Sequence, residues 1–248
     1  MTNSDLQQRV CEKIQGMEKE IVETLQKLVR IPSIVGNEAS AQDFMEALYK
    51  DLGLEVLRLQ ADIAAVRDHR AFIETGMPYD NRPNLIATLP GRADSPSLIL
   101  NGHVDVVSPE PVEAWTHDPW GGEVEGERLY GRGSGDMKAG LLANYFALKG
   151  LIKVGIRPKG TVMLQSVVDE EAGGAGGTLS CLMAGYTADA MIATEPHNLN
   201  ITIGHAGINY FRVKVMGKTS HAGLAHLGVN AIGKIIPIYQ ALMELDEQ

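Results

Sequence analysis

The stretch SLILNGHVDVV, residues 97–107, joins a continuous apolar run to two chemically versatile side chains. An apolar run without alternation is typical of a strand that is buried on both faces of a sheet. His103 and Asp105 stand two residues apart at its carboxyl end, so their side chains leave the same face of an extended chain. The Asp105 carboxylate can then hold one imidazole nitrogen while the other nitrogen binds a metal ion. A lone buried histidine is more often structural, but the neighbouring aspartate favours the metal site.

Two further runs, TVMLQSVV at 161–168 and ADAMIA at 188–193, share this continuous apolar character and are also interpreted as strands buried on both faces. Leucines at helical spacing over 138–154 predict a helix between the first two strands. This order predicts an α/β fold with a mostly parallel mixed sheet flanked by helices. Ligands of such sheets bind beyond the carboxyl ends of the strands.

The amino-terminal part predicts two helices before the first strands. Apolar residues recur at threes and fours from Ser4 to Arg30, which predicts one long helix. A second helix is predicted from a cap at Asn37 to Gly53, followed by a strand at 54–59. Residues 61–83 show no sustained period and predict a loop-rich excursion before a strand at 84–89.

The pattern changes near residue 200. The stretch ITIGHAGINYFRVKVMGKTS, residues 201–220, is interrupted by glycines and partly alternating, as in antiparallel strands, and a helix is predicted over 230–245. We therefore predict a first domain at 1–204 and the beginning of a second, α+β domain at 205–248. Two strands and one helix leave an apolar face with too few partners, so we expect this second domain to be incomplete.

Composition limits the classes of partner. With 248 residues, 44% of them hydrophobic, the chain can bury a substantial core. A net charge of −9 argues against nucleic acid as a partner. Cys11 and Cys181 belong to no CxxC pair and are expected to be reduced thiols. The polar amino terminus and the absence of an apolar run of about 18 residues predict a cytoplasmic protein without membrane contact.

Acidic residues follow the other predicted strands and the glycine-rich loop GRGSGDMKAG, residues 131–140. Asp136 occupies the sixth position of that loop, where a dinucleotide fingerprint has glycine, so the loop attracts a cation better than a phosphate. Asp136 as the N-cap of the following helix is the alternative. Glu170 and Glu171 follow the run at 161–168 and precede AGGAGG, and the alternative for them is an acidic helix start. Glu195 follows the run at 188–193, and the alternative for it is an exposed loop acid. Together they predict a metal site, because carboxylates this close repel one another without a cation.

The ordered motifs resemble the M20 family of dinuclear zinc hydrolases, which includes acetylornithine deacetylase, succinyl-diaminopimelate desuccinylase, aminoacylases and glutamate carboxypeptidases. The resemblance covers nearly the whole chain and is carried by NGHVDVV (101–107), LYGRGSGDMKAG (129–140), VVDEE (167–171), ATEP (193–196), KTSHAG (218–223) and GVNAI (228–232). It implies a zinc-peptidase-like catalytic domain followed by a ferredoxin-like lid that forms a homodimer.

The resemblance also implies roles for single residues. His103 and Glu195 would bind one zinc ion, Asp136 would bridge both ions, and Glu171 would bind the second. Asp105 would orient His103, and Glu170 would act as general base. His221 of the partner subunit would stabilise the developing oxyanion. Co²⁺ or Mn²⁺ could substitute for zinc.

The expected activity is removal of an acyl group from an N-acyl amino acid or related small amide. A carboxypeptidase or dipeptidase of the same family is the alternative. Family members continue through the rest of the lid and back into the catalytic domain, which supplies a further histidine for the second zinc, so a truncated, non-catalytic chain is a rival interpretation. A nucleotide-binding Rossmann protein is disfavoured by Asp136 in the glycine-rich loop.

Overall fold

A computed structural model describes residues 3–92, 94–204, 207 and 211–246. The chain divides into two compact units, residues 1–200 and 201–248. The helices of the first unit are α1 (Asn3–Gln15), α2 (Glu18–Val29), α3 (Ala39–Asp51), α4 (Ile63–Val66), α5 (Lys138–Lys153) and α6 (Ser180–Met183), and the second unit holds α7 (Ala231–Asp246). The strands are β1 (Glu55–Leu59), β2 (Asn84–Leu89), β3 (Leu98–His103), β4 (Glu123–Glu125), β5 (Arg128–Tyr130), β6 (Val162–Val167) and β7 (Ala190–Ala193). Within the described ranges, no helix has the length and apolarity needed to cross a membrane.

Five strands form one mixed sheet in the order β1-β2-β6-β3-β7, and β4 and β5 pair as a separate antiparallel hairpin. Strand β3 pairs in parallel with both β6 and β7. Strand β2 is antiparallel to β1 and to β6, so β1, β6, β3 and β7 all run in the same direction and only β2 runs against them. The predicted α/β fold with a mostly parallel mixed sheet is therefore confirmed.

Helices cover both faces of this sheet. Alternate residues of β6 face opposite sides, because successive side chains of a strand point to opposite faces. Leu164 belongs to the larger core cluster, which includes residues of α2, α3 and α5. Met163 belongs to a smaller cluster with Ile99 and Cys181, the latter from α6. The two clusters explain why β6 reads as a continuous apolar run.

The first predicted helix is two helices in the structure. The helix predicted from Ser4 to Arg30 breaks between α1 and α2 at Gly16 and Met17, so the prediction of one long helix is wrong. Gly16 has a low helix propensity. Met17 adopts φ −103° and ψ 9° and is only 7% exposed, so its side chain contributes to the core at the break.

Most other predicted elements of the first unit are confirmed. Strands β1, β2, β3, β6 and β7 and helix α5 lie where the patterns place them. Helix α3 ends before Gly53, whose φ of +72° is the left-handed conformation predicted for it. The N-cap of α3 is Glu38 rather than Asn37. Apart from the single turn α4, the described residues of 61–83 form no helix or strand, as expected.

Strand β7 is less buried than its sequence suggests. All four of its residues are exposed, so the prediction that ADAMIA is buried on both faces is wrong. Among the residues that the structure describes, the strand lies at the edge of the sheet and pairs only with β3. Its apolar residues are therefore not enclosed between helix layers in the way those of β6 are.

In the second unit, the helix predicted at 230–245 is confirmed as α7. The antiparallel strands predicted over 201–220 are absent from the described residues of that stretch, apart from one isolated bridge between Lys218 and Val229. Residues 205, 206 and 208–210 of the predicted strands lie outside the described residues. A strand needs a hydrogen-bonded neighbour, and the described part of 201–220 has none beyond this bridge. The assignment of 1–204 to a catalytic domain and 205–248 to a lid stays a prediction.

Candidate metal centre

Three strand ends and one loop bring the predicted site residues together. His103 is the last residue of β3 and pairs in register with Val167, the last residue of β6. The chain leaves β6 through Val168 and Asp169 into a single 3-10 turn at Glu170–Ala172. Glu195 follows β7, and Asp136 precedes α5. The acidic side chains therefore converge on the carboxyl edge of the parallel strands, where α/β sheets bind ligands.

The imidazole of His103 is buried among carboxylates. Its side chain is 1% exposed, and its Nε2 atom lies 3.3 Å from Asp136 Oδ1, 3.6 Å from Glu170 Oε2 and 3.8 Å from Glu195 Oε1. This nitrogen is buried and has no hydrogen-bond partner among the described residues. Buried polar atoms are normally paired, so an unpaired nitrogen facing three carboxylates indicates a ligand position.

The other imidazole nitrogen fixes the tautomer. Nδ1 lies 2.9 Å from the main-chain carbonyl oxygen of Asp105, which can only accept a hydrogen bond. Nδ1 must therefore carry the hydrogen, and in the neutral ring the lone pair of Nε2 points towards the carboxylates. The Asp105 carboxylate also lies near, with Oδ1 3.7 Å from Nδ1, and its predicted role in orienting His103 stays a prediction.

The Asp105 carboxylate has a different set of partners. Its Oδ1 accepts from the Glu170 N–H at 3.3 Å and its Oδ2 accepts from the Glu171 N–H at 3.0 Å. Burial raises the pKa of Asp105 to about 7, although the charge of His103 and the two N–H donors oppose this shift. Asp105 thus connects the end of β3 to the turn that carries Glu170 and Glu171.

The carboxylates of this cluster repel one another, and the pKa values of several groups are raised as a result of burial and of this repulsion. Burial raises the pKa of Glu195 to about 7, and the charges of Glu170 and Asp136 add to the shift while His103 opposes it. Burial likewise raises the pKa of Glu171, with Asp136 adding to it. Burial lowers the pKa of His103, but the charges of Asp105, Glu170 and Glu195 outweigh it, and the net shift is upward. A bound cation would relieve this repulsion.

His103, Asp136 and Glu195 fit one divalent ion. One ligand atom from each lies within 4.8 Å of the others, and the two measured distances from Nε2 are 3.3 and 3.8 Å. Zinc binds nitrogen and oxygen at about 2.0–2.2 Å, so two atoms on one ion lie no more than about 4.4 Å apart. Glu171 is not part of this group of three. Its place on a second ion stays a prediction.

The structure does not support the alternative role of Asp136 as the N-cap of α5. The N-cap of α5 is Met137, which makes no side-chain capping hydrogen bond, so Asp136 does not act as that helix cap. Its side chain is 58% exposed and faces His103. Gly133, in the loop before it, has a φ of +81°, and a Cβ there would lie 2.5 Å from Val106 Cγ1. The glycine-rich loop therefore allows the backbone to pass close to the end of β3.

Sequence patterns missed Glu38, Tyr79 and Arg82, and they missed the contacts of Asp169, which itself stands in the acidic motif VVDEE. Asp169 is fully buried beside Glu170 and contacts Arg82 and Tyr79, and Arg82 in turn pairs with Glu38. Arg82 and Tyr79 lie in the aperiodic stretch at 61–83, and their partners are far away in sequence. No local spacing could have joined them.

His221 belongs to the second unit, where it precedes a 3-10 turn at Ala222–Leu227. It is exposed, and its Nδ1 accepts a hydrogen bond from the Gly223 N–H at 3.1 Å. Its role in oxyanion stabilisation stays a prediction.

The fold and the site together define an α/β protein with a candidate metal centre at the carboxyl edge of its sheet. The chain belongs to peptidase family M20/M25/M40, whose family model matches residues 99–241. The family resemblance drawn from the ordered motifs is thus confirmed.

Curated relatives include an N-formyl-4-amino-5-aminomethyl-2-methylpyrimidine deformylase from Halalkalibacterium halodurans, which is 34% identical over an alignment 243 residues long. The alignment covers 92% of this chain and 52% of the relative. A succinyl-diaminopimelate desuccinylase from Rhodopseudomonas palustris is 34% identical over an alignment 227 residues long, which covers 88% of this chain and 55% of the relative. The chain therefore spans about half the length of these relatives.

Solved structures share the fold. Human carnosine dipeptidase 1 matches with a TM-score of 0.63 and 19% identity over 76% of this chain and 41% of its own. An M20 family metallo-carboxypeptidase from Sulfolobus solfataricus matches with a TM-score of 0.58 and 21% identity over 71% of this chain and 37% of its own. These likenesses support the mixed sheet flanked by helices.

Proposed function

We propose that the chain carries the metal centre of an amidohydrolase that removes an acyl group from an N-acyl amino acid or a related small amide. The observation that carries the proposal is the unpaired, buried Nε2 of His103, which faces Asp136 and Glu195 at 3.3 and 3.8 Å. Two relatives are named a deformylase and a desuccinylase, and both names describe removal of an acyl group from nitrogen.

Zinc is the proposed ion, with Co²⁺ or Mn²⁺ as substitutes. His103, Asp136 and Glu195 would hold the first ion, and Asp136 and Glu171 would contribute to a second. An imidazole with carboxylates suits zinc better than Ca²⁺ or Mg²⁺, which prefer all-oxygen sites. Bound zinc would supply Lewis acidity, which lowers the pKa of water and polarises the amide carbonyl.

Glu170 is proposed as the general base. Its side chain is 49% exposed, so water reaches it, and its Oε2 lies 3.6 Å from His103 Nε2, beside the proposed ligand atoms. Its main-chain N–H is tied to Asp105, which limits how far the carboxylate can move. Glu170 would take the proton of the attacking water and return it to the leaving amine.

Glu170→Gln tests this assignment. We expect the zinc-loaded protein to hydrolyse at least one member of a panel of N-formyl, N-acetyl and N-succinyl amino acids, and the variant to lose this activity by about 10²- to 10⁴-fold. Zinc content measured by mass spectrometry should not change, because Glu170 is not a proposed ligand. Glu12→Gln, an exposed change in α1, is the matched control and should retain full activity.

Four results would count against the proposal. A protein that binds no zinc, cobalt or manganese under replete conditions lacks the metal centre. Activity that survives Glu170→Gln would show that another group takes the proton. Zinc binding without hydrolysis of any panel member would instead favour the non-catalytic chain. Dipeptides are therefore tested beside the panel, and hydrolysis of dipeptides alone would favour a dipeptidase or carboxypeptidase, the activities named for the two structural neighbours.

We further propose a cytoplasmic homodimer in which His221 of the partner subunit donates to the oxyanion. The M20 resemblance of KTSHAG at 218–223 supports this arrangement. Light scattering after size-exclusion chromatography measures the oligomeric state directly. A monomer at assay concentration that is fully active would contradict it.

A further inference from the structure

A buried ionic network lies next to the candidate metal centre. The guanidinium of Arg82 is 2% exposed and pairs with the fully buried carboxylate of Glu38 through Nε at 2.8 Å and Nη2 at 2.6 Å. The same Nη2 lies 3.3 Å from Oδ1 of Asp169, which is also fully buried. Arg82 therefore bridges two carboxylates from distant parts of the chain.

Asp169 is held in an unusual conformation. Its φ of +69° and ψ of 11° place a non-glycine residue in the left-handed region. Its Oδ2 accepts hydrogen bonds from the Tyr79 hydroxyl at 2.7 Å and from the Gly176 N–H at 3.2 Å. With Arg82 on Oδ1, both carboxylate oxygens of Asp169 are anchored.

This conformation determines where the next two residues point. The main-chain N–H groups of Glu170 and Glu171 both donate to the carboxylate of Asp105. The carbonyl of Asp105 in turn accepts from Nδ1 of His103. Arg82 is thus connected to His103 by hydrogen bonds and by the covalent link from Asp169 to Glu170, whose N–H donates to Asp105.

Stability alone is a poor explanation for such a network. Removing charges from water costs nearly as much free energy as their attraction returns, so buried ion pairs add little net stability. A left-handed aspartate adds a further cost. What the arrangement does provide is a fixed direction for the turn at Glu170–Ala172.

We propose that Arg82 and Asp169 are positioning residues, which lock the turn carrying Glu170 and Glu171 and thereby set the metal affinity of the centre. The proposal rests on the proposed function in that it takes His103 and its carboxylates as metal ligands. It goes beyond that function because neither Arg82 nor Asp169 lies among the ligands.

Asp169→Asn tests the role of the network charge, since asparagine tolerates the left-handed conformation but must turn its NH2 group towards either Arg82 Nη2 or the Gly176 N–H, both of which are donors. We expect the Kd for Zn²⁺, measured by competition with a chromophoric chelator, to rise about 10- to 100-fold. In the chelator-treated protein, the amides of Glu170 and Glu171 should exchange hydrogen faster than in the unmodified chain. Tyr79→Phe removes one hydrogen bond and should raise the Kd by a smaller factor, about 2- to 10-fold.

Lys149→Met is the control. Lys149 is also buried and charged, but it contacts Glu20 and Tyr145 rather than any residue of the centre. The Lys149→Met substitution should lower the melting temperature without changing the Kd for Zn²⁺ or the rate of hydrogen exchange at the Glu170 amide. If Asp169→Asn behaves like this control, the positioning role is wrong while the metal centre stands. If the unmodified chain binds no Zn²⁺, both proposals fail. Should Asp169→Asn prove unstable, Tyr79→Phe decides, and an unchanged Kd for it overturns the inference.

Discussion

The two nitrogens of His103 have separate tasks, and the division depends on main-chain geometry. Nδ1 is committed to the Asp105 carbonyl at 2.9 Å, which leaves Nε2 facing Asp136, Glu170 and Glu195. The residue types at these positions were predictable, because each follows an apolar strand or the glycine-rich loop. The hydrogen bond from Nδ1 to the Asp105 carbonyl was not predictable, since it depends on the main-chain conformation after β3.

The two cysteines should differ sharply in reactivity. Cys181 is fully buried in the smaller core, and burial raises the pKa of its thiol to about 12. Cys11 is exposed on α1. Because the thiolate is the reactive species, we expect Ellman's reagent at about pH 8 to modify one thiol in the folded chain and two after denaturation.

Cys11→Ser provides the control for this assignment. The folded variant should show no reactive thiol, whereas Cys181→Ser should react like the unmodified chain if it folds. Rapid modification of Cys181 in folded Cys11→Ser would mean that the smaller core opens far more readily than its burial indicates.

At the scale of elements, α5 holds two strand ends together. The Asn144 side chain donates to the Asn101 carbonyl in β3 at 3.1 Å and to Thr194 Oγ1 at 3.0 Å, one residue before Glu195. Gly140 allows the helix to approach, because a Cβ there would lie 2.0 Å from the Thr194 carbonyl oxygen. The distance between the His103 and Glu195 strands therefore depends on how closely α5 packs.

Gly140→Ala should weaken metal binding. Alanine favours a helix more than glycine by about 1 kcal/mol, so propensity alone predicts greater stability. The added methyl instead collides with main chain, which cannot rotate away, and should displace the end of β7 with Glu195. We expect the Kd for Zn²⁺ to rise by about tenfold or more in a chelator competition assay.

Gly150→Ala in the same helix is the matched control. Its Cβ would lie 2.8 Å from Ile14 Cγ1, a side chain that can adjust. Zinc affinity should be unchanged in this variant. Equal effects of the two substitutions would show that α5 acts on the site through general stability rather than through its contact with Thr194.

The elements show what sequence patterns can predict. Strand β6 and helix α5 were predictable because most of their residues are buried, which gives each a strong apolar pattern in its own sequence. The break at Gly16 was not, because a single glycine inside a helical period is often tolerated. The edge strand β7 and the central strand β6 have similar apolar sequences but differ in exposure. Exposure depends on which elements pack against a strand, and the sequence of the strand does not show this. The Arg82 network joins segments 44 and 87 residues apart, and no periodicity spans such distances.

At the scale of the whole molecule, the ionised carboxylates of the site lower the stability of the metal-free chain as the pH rises. Burial raises the pKa values of Asp105 and Glu195 from 3.8 and 4.5 to about 7. The folded state therefore binds protons more tightly than the unfolded state between those values. Stability contributed by protonation is present at low pH and falls as the pH rises through this window. The raised pKa of His103 has the same sign, because its extra proton is lost as the pH rises.

We expect the chelator-treated chain to melt at a lower temperature at about pH 8 than at about pH 6, and the increase in melting temperature caused by Zn²⁺ to be larger at the higher pH. The second effect follows because zinc replaces the protons that the carboxylates and imidazole would otherwise need. Differential scanning fluorimetry with and without chelator measures both. Glu195→Gln removes one of the shifted carboxyl groups and should flatten the pH dependence of the metal-free chain. Burial lowers the pKa of Lys138 to about 7, and a lowered lysine pKa makes stability rise with pH, so this residue opposes the carboxylates. A metal-free chain that gains stability from about pH 6 to about pH 8 would show that groups of this opposite sign dominate the linkage.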